Sequence, residues 1–133
     1  MRTTTARLNR GAAPLLAALS LWTLILIDST AKAQNTGAGK ELFAKRCAGC
    51  HALDSEKEGP RLRGVYGRVS GSVPTFTYSD ALKKAGITWD AGSLEKWLTD
   101  PDALVRDNDM AFQLRSAQER DAIIVYLRQL SKP

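Results

Sequence analysis

Cys47-Ala48-Gly49-Cys50-His51 decides the reading of this chain, because the pentad holds both cysteines and the only histidine among its 133 residues. Thiols three residues apart on one helical turn reach the two vinyl groups along one edge of a porphyrin, and the adjacent imidazole then lies beneath the iron. The pentad therefore reads as a clamp for covalently attached haem, with His51 as one axial ligand. Other chemistries fit less well. A Cys47–Cys50 disulfide would close so short a loop that it would restrain the unfolded chain very little. Zinc usually takes four protein ligands, or three with an open position, and three candidates are crowded here into five residues with no second pair. A thiol–disulfide redox pair calls for a βαβ setting that the flanking sequence does not supply.

Upstream, Arg2, Arg7 and Arg10 precede a mostly apolar run from Ala12 to Ile27, and Ala31-Lys32-Ala33 forms an A-x-A cleavage signal. This is the layout of a secretory signal peptide. Residues 1–33 are thus expected to be an export leader, and residues 34–133 a single mature domain in the periplasm. The run is broken by Ser20 and Thr23 and falls short of the roughly 20 apolar residues of a spanning helix, so retention as an N-terminal anchor is the lesser alternative. The leader also carries much of the net charge of +5: without Arg2, Arg7, Arg10, Lys32 and Asp28, fifteen basic side chains face thirteen acidic ones. No basic stripe with interleaved aromatics is present, which excludes nucleic acid as a partner class. A domain of this size builds only a thin core, and a large flat apolar cofactor would add core volume as well as chemistry.

Downstream of the leader the pattern is helical. Leu42, Phe43 and Ala44 place a first helix at about residues 40–47, running into the clamp. Between His51 and Val73, Gly59, Pro60, Gly64, Gly67 and Gly71 break any long element and predict a loop wrapped along the cofactor. Ser79 is an N-cap for a short helix from Asp80 to Ala85, with Gly86 at its end. Leu94, Trp97 and Leu98 mark another helix, from Gly92 or Ser93 to Thr99, with Pro101 just beyond. Ser116 and Glu119 make an S-x-x-E capping box, followed by an apolar face of Ile123, Ile124, Leu127 and Leu130. A local strand over Val65–Phe76 is disfavoured by its glycines. The domain reads as all-α.

Loss of Met1 with the leader leaves Met110 as the one methionine, 59 residues beyond His51. A lone methionine usually fills a gap in a core, but with the clamp present and no second histidine it becomes the candidate for the other axial position. Residues 102–109 would carry its sulfur over the iron, and Ala111 and Phe112 would seal that side. Imidazole on one face and thioether on the other favour reduced iron and raise the reduction potential. With both axial positions filled, such a site suits electron transfer rather than bond-making chemistry.

Further residues carry a resemblance. These are Gly39 and Phe43 ahead of the clamp with Tyr126 near the C-terminus, then Gly59-Pro60, Gly67-Arg68 with Gly71, and Phe76-x-Tyr78-Ser79-x-Ala81. Together with the clamp and Met110, these resemble the class I cytochromes c, particularly short bacterial cytochromes c2 and mitochondrial cytochromes c, over essentially all of residues 37–133. The resemblance implies a small fold of four to five helices around one haem c per chain. It also implies that the Pro60 carbonyl accepts a hydrogen bond from His51, and that Arg68, Tyr78 and Trp89 surround the haem propionates. The function implied is that of a soluble, monomeric, non-enzymatic carrier of one electron. Its partners would be redox proteins such as membrane-bound cytochrome complexes, oxidases or periplasmic dehydrogenases. A different class of answer is a haem enzyme or gas sensor in which Met110 is displaceable.

Three departures from the family pattern stand out. Arg106 and Asp107 replace the Pro-Gly that usually precedes the ligand methionine, so the loop loses a proline restraint and a permissive glycine; Asn108 tolerates a left-handed backbone better than most residues. Trp97 stands where the family commonly has a tyrosine near the methionine sulfur, removing any phenol hydrogen bond there. Asp100, Asp102, Asp107 and Asp109 crowd the methionine side, where relatives that dock on acidic partners carry lysines; Arg46, Lys57 and Arg115 lie elsewhere on the rim.

Overall fold

Gly39 and Phe43 set the first contact of the fold. A Cβ at Gly39 would run into the Ala122 carbonyl and lie 2.7 Å from Tyr126 Cβ, so only glycine lets the first and last helices approach this closely. Phe43 and Tyr126 then meet with ring centroids 5.8 Å apart, both side chains buried. The computed structural model describes residues 37–132; the expected leader, residues 1–33, and its cleavage point lie outside the described residues. Helix α1 is already under way at residue 37, ahead of the expected start, and runs to 46.

Four further helices follow: α2 (Asp80–Lys84), α3 (Ala91–Thr99), α4 (Pro101–Leu104) and α5 (Ala117–Gln129). Ser79 caps α2, its hydroxyl accepting from Leu82 N–H at 3.3 Å. α3 starts earlier than expected because its N-cap is Asp90: Asp90 accepts from Ser93 N–H, and the Ser93 hydroxyl accepts from Asp90 N–H, closing a reciprocal box. α4 was not expected at all. Pro101, read as a terminator, is instead the first residue of a new turn, with the Asp100 carboxylate accepting from the N–H groups of Asp102 and Ala103. Proline suits that position because its missing N–H would have had no partner there. α5 is capped by Ser116, which accepts from Glu119 N–H, while the Glu119 carboxylate meets Arg46 of α1 at 3.1 Å.

Among the described residues there is no strand, only one antiparallel bridge between Val69 and Thr88. Flanking bonds from Gly67 N–H to the Trp89 carbonyl (2.6 Å) and from Trp89 N–H to the Arg68 carbonyl (2.9 Å) lay Trp89 beside Arg68. Gly71, left-handed at φ 66°, lets this loop touch α2, where a Cβ would lie 2.8 Å from Lys83 Cα. α3 and α5 are tied by Arg120. Its side chain, 11% exposed, gives Nε to Glu95 (2.7 Å) and Nη1 to the carbonyls of Leu114 (2.6 Å) and Arg115 (2.9 Å). The core gathers Phe43, Leu94, Leu98, Ile123, Tyr126 and Leu127, and one side of it is hollow.

Candidate haem-binding site

The clamp is a continuation of α1. N–H groups of Cys47 and Ala48 return to the Phe43 carbonyl (2.9 and 3.0 Å), and those of Cys50 and His51 return to Cys47 (3.1 and 2.9 Å). This helical turn sets both sulfurs and the imidazole on the wall of a cavity of about 520 Å³, within the usual size of cofactor pockets. His51 is fixed in orientation because its Nδ1–H donates to the Pro60 carbonyl at 2.8 Å. Nε2 therefore keeps the free lone pair, the arrangement that strengthens a ligating imidazole. Burial pushes the imidazole below its ordinary pKa, with the Pro60 bond opposing and Lys57 assisting, so the neutral form is favoured. Gly59 packs against the ring so closely that any Cβ there would collide with it.

Cys47 is pushed up to about 11, by burial first and by neighbouring Cys50 second. Redox-active cysteines have depressed values, so the buried Cys47 thiol lacks that activation.

Met110 enters the same cavity from the opposite segment, and its sulfur accepts a hydrogen bond from the Trp97 indole N–H at 3.0 Å. Trp97 thus restores a donor where the missing phenol had left none expected. Trp97 also leans on Trp89, ring centroids 5.3 Å apart. The left-handed residue in the approach to Met110 is Asp107 (φ 62°) rather than Asn108. The Asn108 side chain, instead, bridges the loop: its amide donates to Asp102 Oδ1 (2.7 Å) and the Val105 carbonyl (2.9 Å), and its oxygen accepts from Met110 N–H (2.7 Å).

Arg68, Tyr78 and Trp89 line the cavity too. Arg68 donates to the carbonyls of Arg61 (2.9 Å) and Arg63 (3.2 Å). Burial lowers its pKa and raises that of Tyr78, each group's effect on the other opposing its own shift. The cavity thus joins all eight residues singled out from sequence: Cys47, Cys50, His51, Pro60, Arg68, Tyr78, Trp89 and Met110. Ala111 and Phe112 lie on the wall beside Met110. Sequence reading missed Arg120, whose grip on residues 114 and 115 holds the segment leaving Met110.

Fold and cavity together define an all-helical protein with one largely apolar cavity, whose wall carries paired thiols, an imidazole and a thioether together with an arginine, a phenol and an indole. The donor set fits haem c. The Cytochrome c family model matches residues 37–131. Relatives include cytochrome c of Chlamydomonas reinhardtii, 38% identical over 74% of this chain and 92% of that one. Cytochrome c2 of Rhodoplanes tepidamans is 41% identical over 72% of this chain and 92% of that protein. Among solved structures, cytochrome cH from Methylobacterium extorquens superposes with a TM-score of 0.67 at 38% identity, covering 71% of this chain and 97% of that one.

The chain belongs to the cytochrome c family. As a class I c-type cytochrome it carries one covalently bound haem c, attached through the C-x-x-C-H motif, and transfers electrons between redox partner proteins.

Proposed function

We propose that this cytochrome is a soluble one-electron carrier of the periplasm, released from its leader after Ala33, in which His51 and Met110 hold the iron. The observation that carries the ligation is the pair of fixed donors on one cavity: an imidazole whose Nδ1–H is spent on Pro60, and a thioether with one lone pair already engaged by Trp97. Sulfur has two lone pairs, and the indole leaves the second for a metal. When bound, the haem supplies a one-electron iron couple; the protein's part is to hold both donors still, so that little reorganisation opposes transfer. Arg68, Tyr78 and the indole of Trp89 are the donors assigned to the propionates, whose charge would otherwise be buried at high cost. Export is supported by the basic–apolar–A-x-A layout of residues 1–33.

Asp107 and Asp109 are exposed beside Met110, so steering toward strongly acidic partners is disfavoured and added salt should speed such encounters. Reduction of an acidic partner that slows steeply with salt would contradict this.

A spectrum of the purified protein tests the ligation. The weak near-infrared band of methionine-ligated ferric haem should be present and should vanish in Met110→Ala. Absence of the band in the wild type, or ready carbon monoxide binding by the reduced wild type at neutral pH, would favour the alternative of a haem enzyme or gas sensor. For export, the periplasmic fraction should contain a chain beginning at Gln34.

A further inference from the structure

The loop that delivers Met110 lacks the stiffness expected of such a segment. Arg106 and Asp107 provide neither a fixed φ nor a glycine, and Asp107 adopts φ 62°, a left-handed conformation that is unfavourable for a residue with a side chain. Something else must hold the segment against relaxation.

One side chain meets this need. Asn108 makes three hydrogen bonds that converge from different parts of the loop: to the Asp102 carboxylate within α4, to the Val105 carbonyl at the end of α4, and from the N–H of Met110 itself. The two donated bonds anchor the amide to α4, and the accepted bond reaches the ligand residue's own backbone. α4 is in turn capped by Asp100, whose N–H returns to Lys96 of α3. Trp97, on the same α3, holds the other end of Met110 by its sulfur. Backbone and sulfur of Met110 are thus referred to one helix by two independent routes.

We propose that Asn108 is the positioning residue that presents the Met110 sulfur to the iron, substituting side-chain clamping for backbone rigidity. The proposal rests on Met110 being the axial ligand. Competition by added imidazole for the ferric iron tests it, because the apparent affinity of an external ligand rises with the fraction of molecules whose loop has let go. In Asn108→Ala all three bonds are lost, and imidazole should bind about tenfold more tightly, with the near-infrared band weakened. Asp102→Ala removes one anchor at an exposed site and should shift imidazole binding a few-fold in the same direction, which keeps the test available should Asn108→Ala fold poorly. Asn108→Asp retains an acceptor for Met110 N–H but cannot donate to α4 and sets a carboxylate against Asp102, so it should resemble the alanine variant.

The unfolding midpoint is measured alongside. A lowered midpoint with unchanged imidazole affinity and an unchanged band would show a merely structural role and overturn the proposal. If the wild type shows the band but neither Asn108→Ala nor Asp102→Ala tightens imidazole binding, the positioning role alone falls. A wild type without the band overturns the ligation and the positioning role together.

Discussion

Withholding the cofactor is the strongest perturbation available, and the cavity allows its size to be worked out. The hollow is about 520 Å³ and is walled by core side chains including Val65, Leu94, Leu98, Ile123 and Leu127. At roughly 24 cal/mol per Å³ of unfilled volume, leaving it empty amounts to about 12 kcal/mol. One side opens to solvent, so water entry and partial collapse recover some of this. Even half, about 6 kcal/mol, matches the whole stability of a small domain at the low end of the usual 5–15 kcal/mol. The double variant Cys47→Ser/Cys50→Ser, purified free of haem, is therefore expected to lose most of its helical circular dichroism and its cooperative thermal transition. α1 and α5 should suffer together, because the residues that join them, Phe43 and Tyr126, sit in the same core as the cavity wall. Haem-free material with a helical signal within a tenth of the loaded protein, melting cooperatively, would refute the reasoning.

Other perturbations address single residues. With Met110 as the proposed ligand, Trp97→Phe removes the indole donor to its sulfur; that would make the sulfur the stronger donor to ferric iron, and half to all of one net hydrogen bond of about 1 kcal/mol corresponds to a potential about 20–40 mV lower, so an unchanged or raised midpoint in a redox titration would contradict it. Gly59→Ala forces a methyl into the His51 ring and is expected to destabilise the loaded protein by about 1–3 kcal/mol, a change under about 0.5 kcal/mol on thermal unfolding being the contrary result. Arg120→Met abandons two backbone carbonyls and Glu95; because Glu95 is 41% exposed and water can serve it, the loss is expected near 2–3 kcal/mol rather than the full penalty of a broken buried pair, while Glu95→Gln, which keeps an acceptor, should cost well under half as much by denaturant unfolding. Hydrogen bonds from the backbone and then the side chain of Ser93 hold the Asp90 carboxyl below its ordinary 3.8, so its stabilisation is complete above about pH 4 and is lost as pH falls through the lower folded value. Asp90→Asn keeps a cap acceptor without that titration and should show a shallower acid dependence of stability; superimposable acid profiles would count against the assignment.

The parts legible in the sequence were those fixed by spacing along the chain. The clamp, the Ser79 and Ser116 caps and the apolar face of α5 each depend on residues within a few positions of one another. α4 escaped notice because Asp100 ends α3 and begins α4 with no residue between, and a proline there serves equally as a stop or a start. The Asp90 cap is hidden for a related reason: its box has the acid at the cap and serine three residues on, the reverse of the S-x-x-E order. The indole–sulfur bond joins α3 to a separate loop, and no spacing announces it. Arg120 reads on a helical wheel as one more charge on a solvated face; it is the carbonyls of the 111–116 segment, folded back from Met110, that make it a buried anchor.

The acidic loop and the missing Pro-Gly are connected by Asp102. A clamp built on Asn108 needs an acceptor on α4, and Asp102 supplies it at 2.7 Å from an exposed position. A lysine there has no acceptor to offer, so this solution for holding the ligand loop brings a negative charge to the rim. Asp102→Asn separates the two consequences: it keeps a carbonyl acceptor for the Asn108 amide while removing the charge. Imidazole affinity should then stay close to wild type, whereas electron transfer to an acidic partner should quicken at low salt and converge with wild type at high salt. A variant whose loop loosens as much as Asp102→Ala would show that the ionised carboxylate itself is required, and that rim charge and ligand restraint cannot be varied independently in this protein.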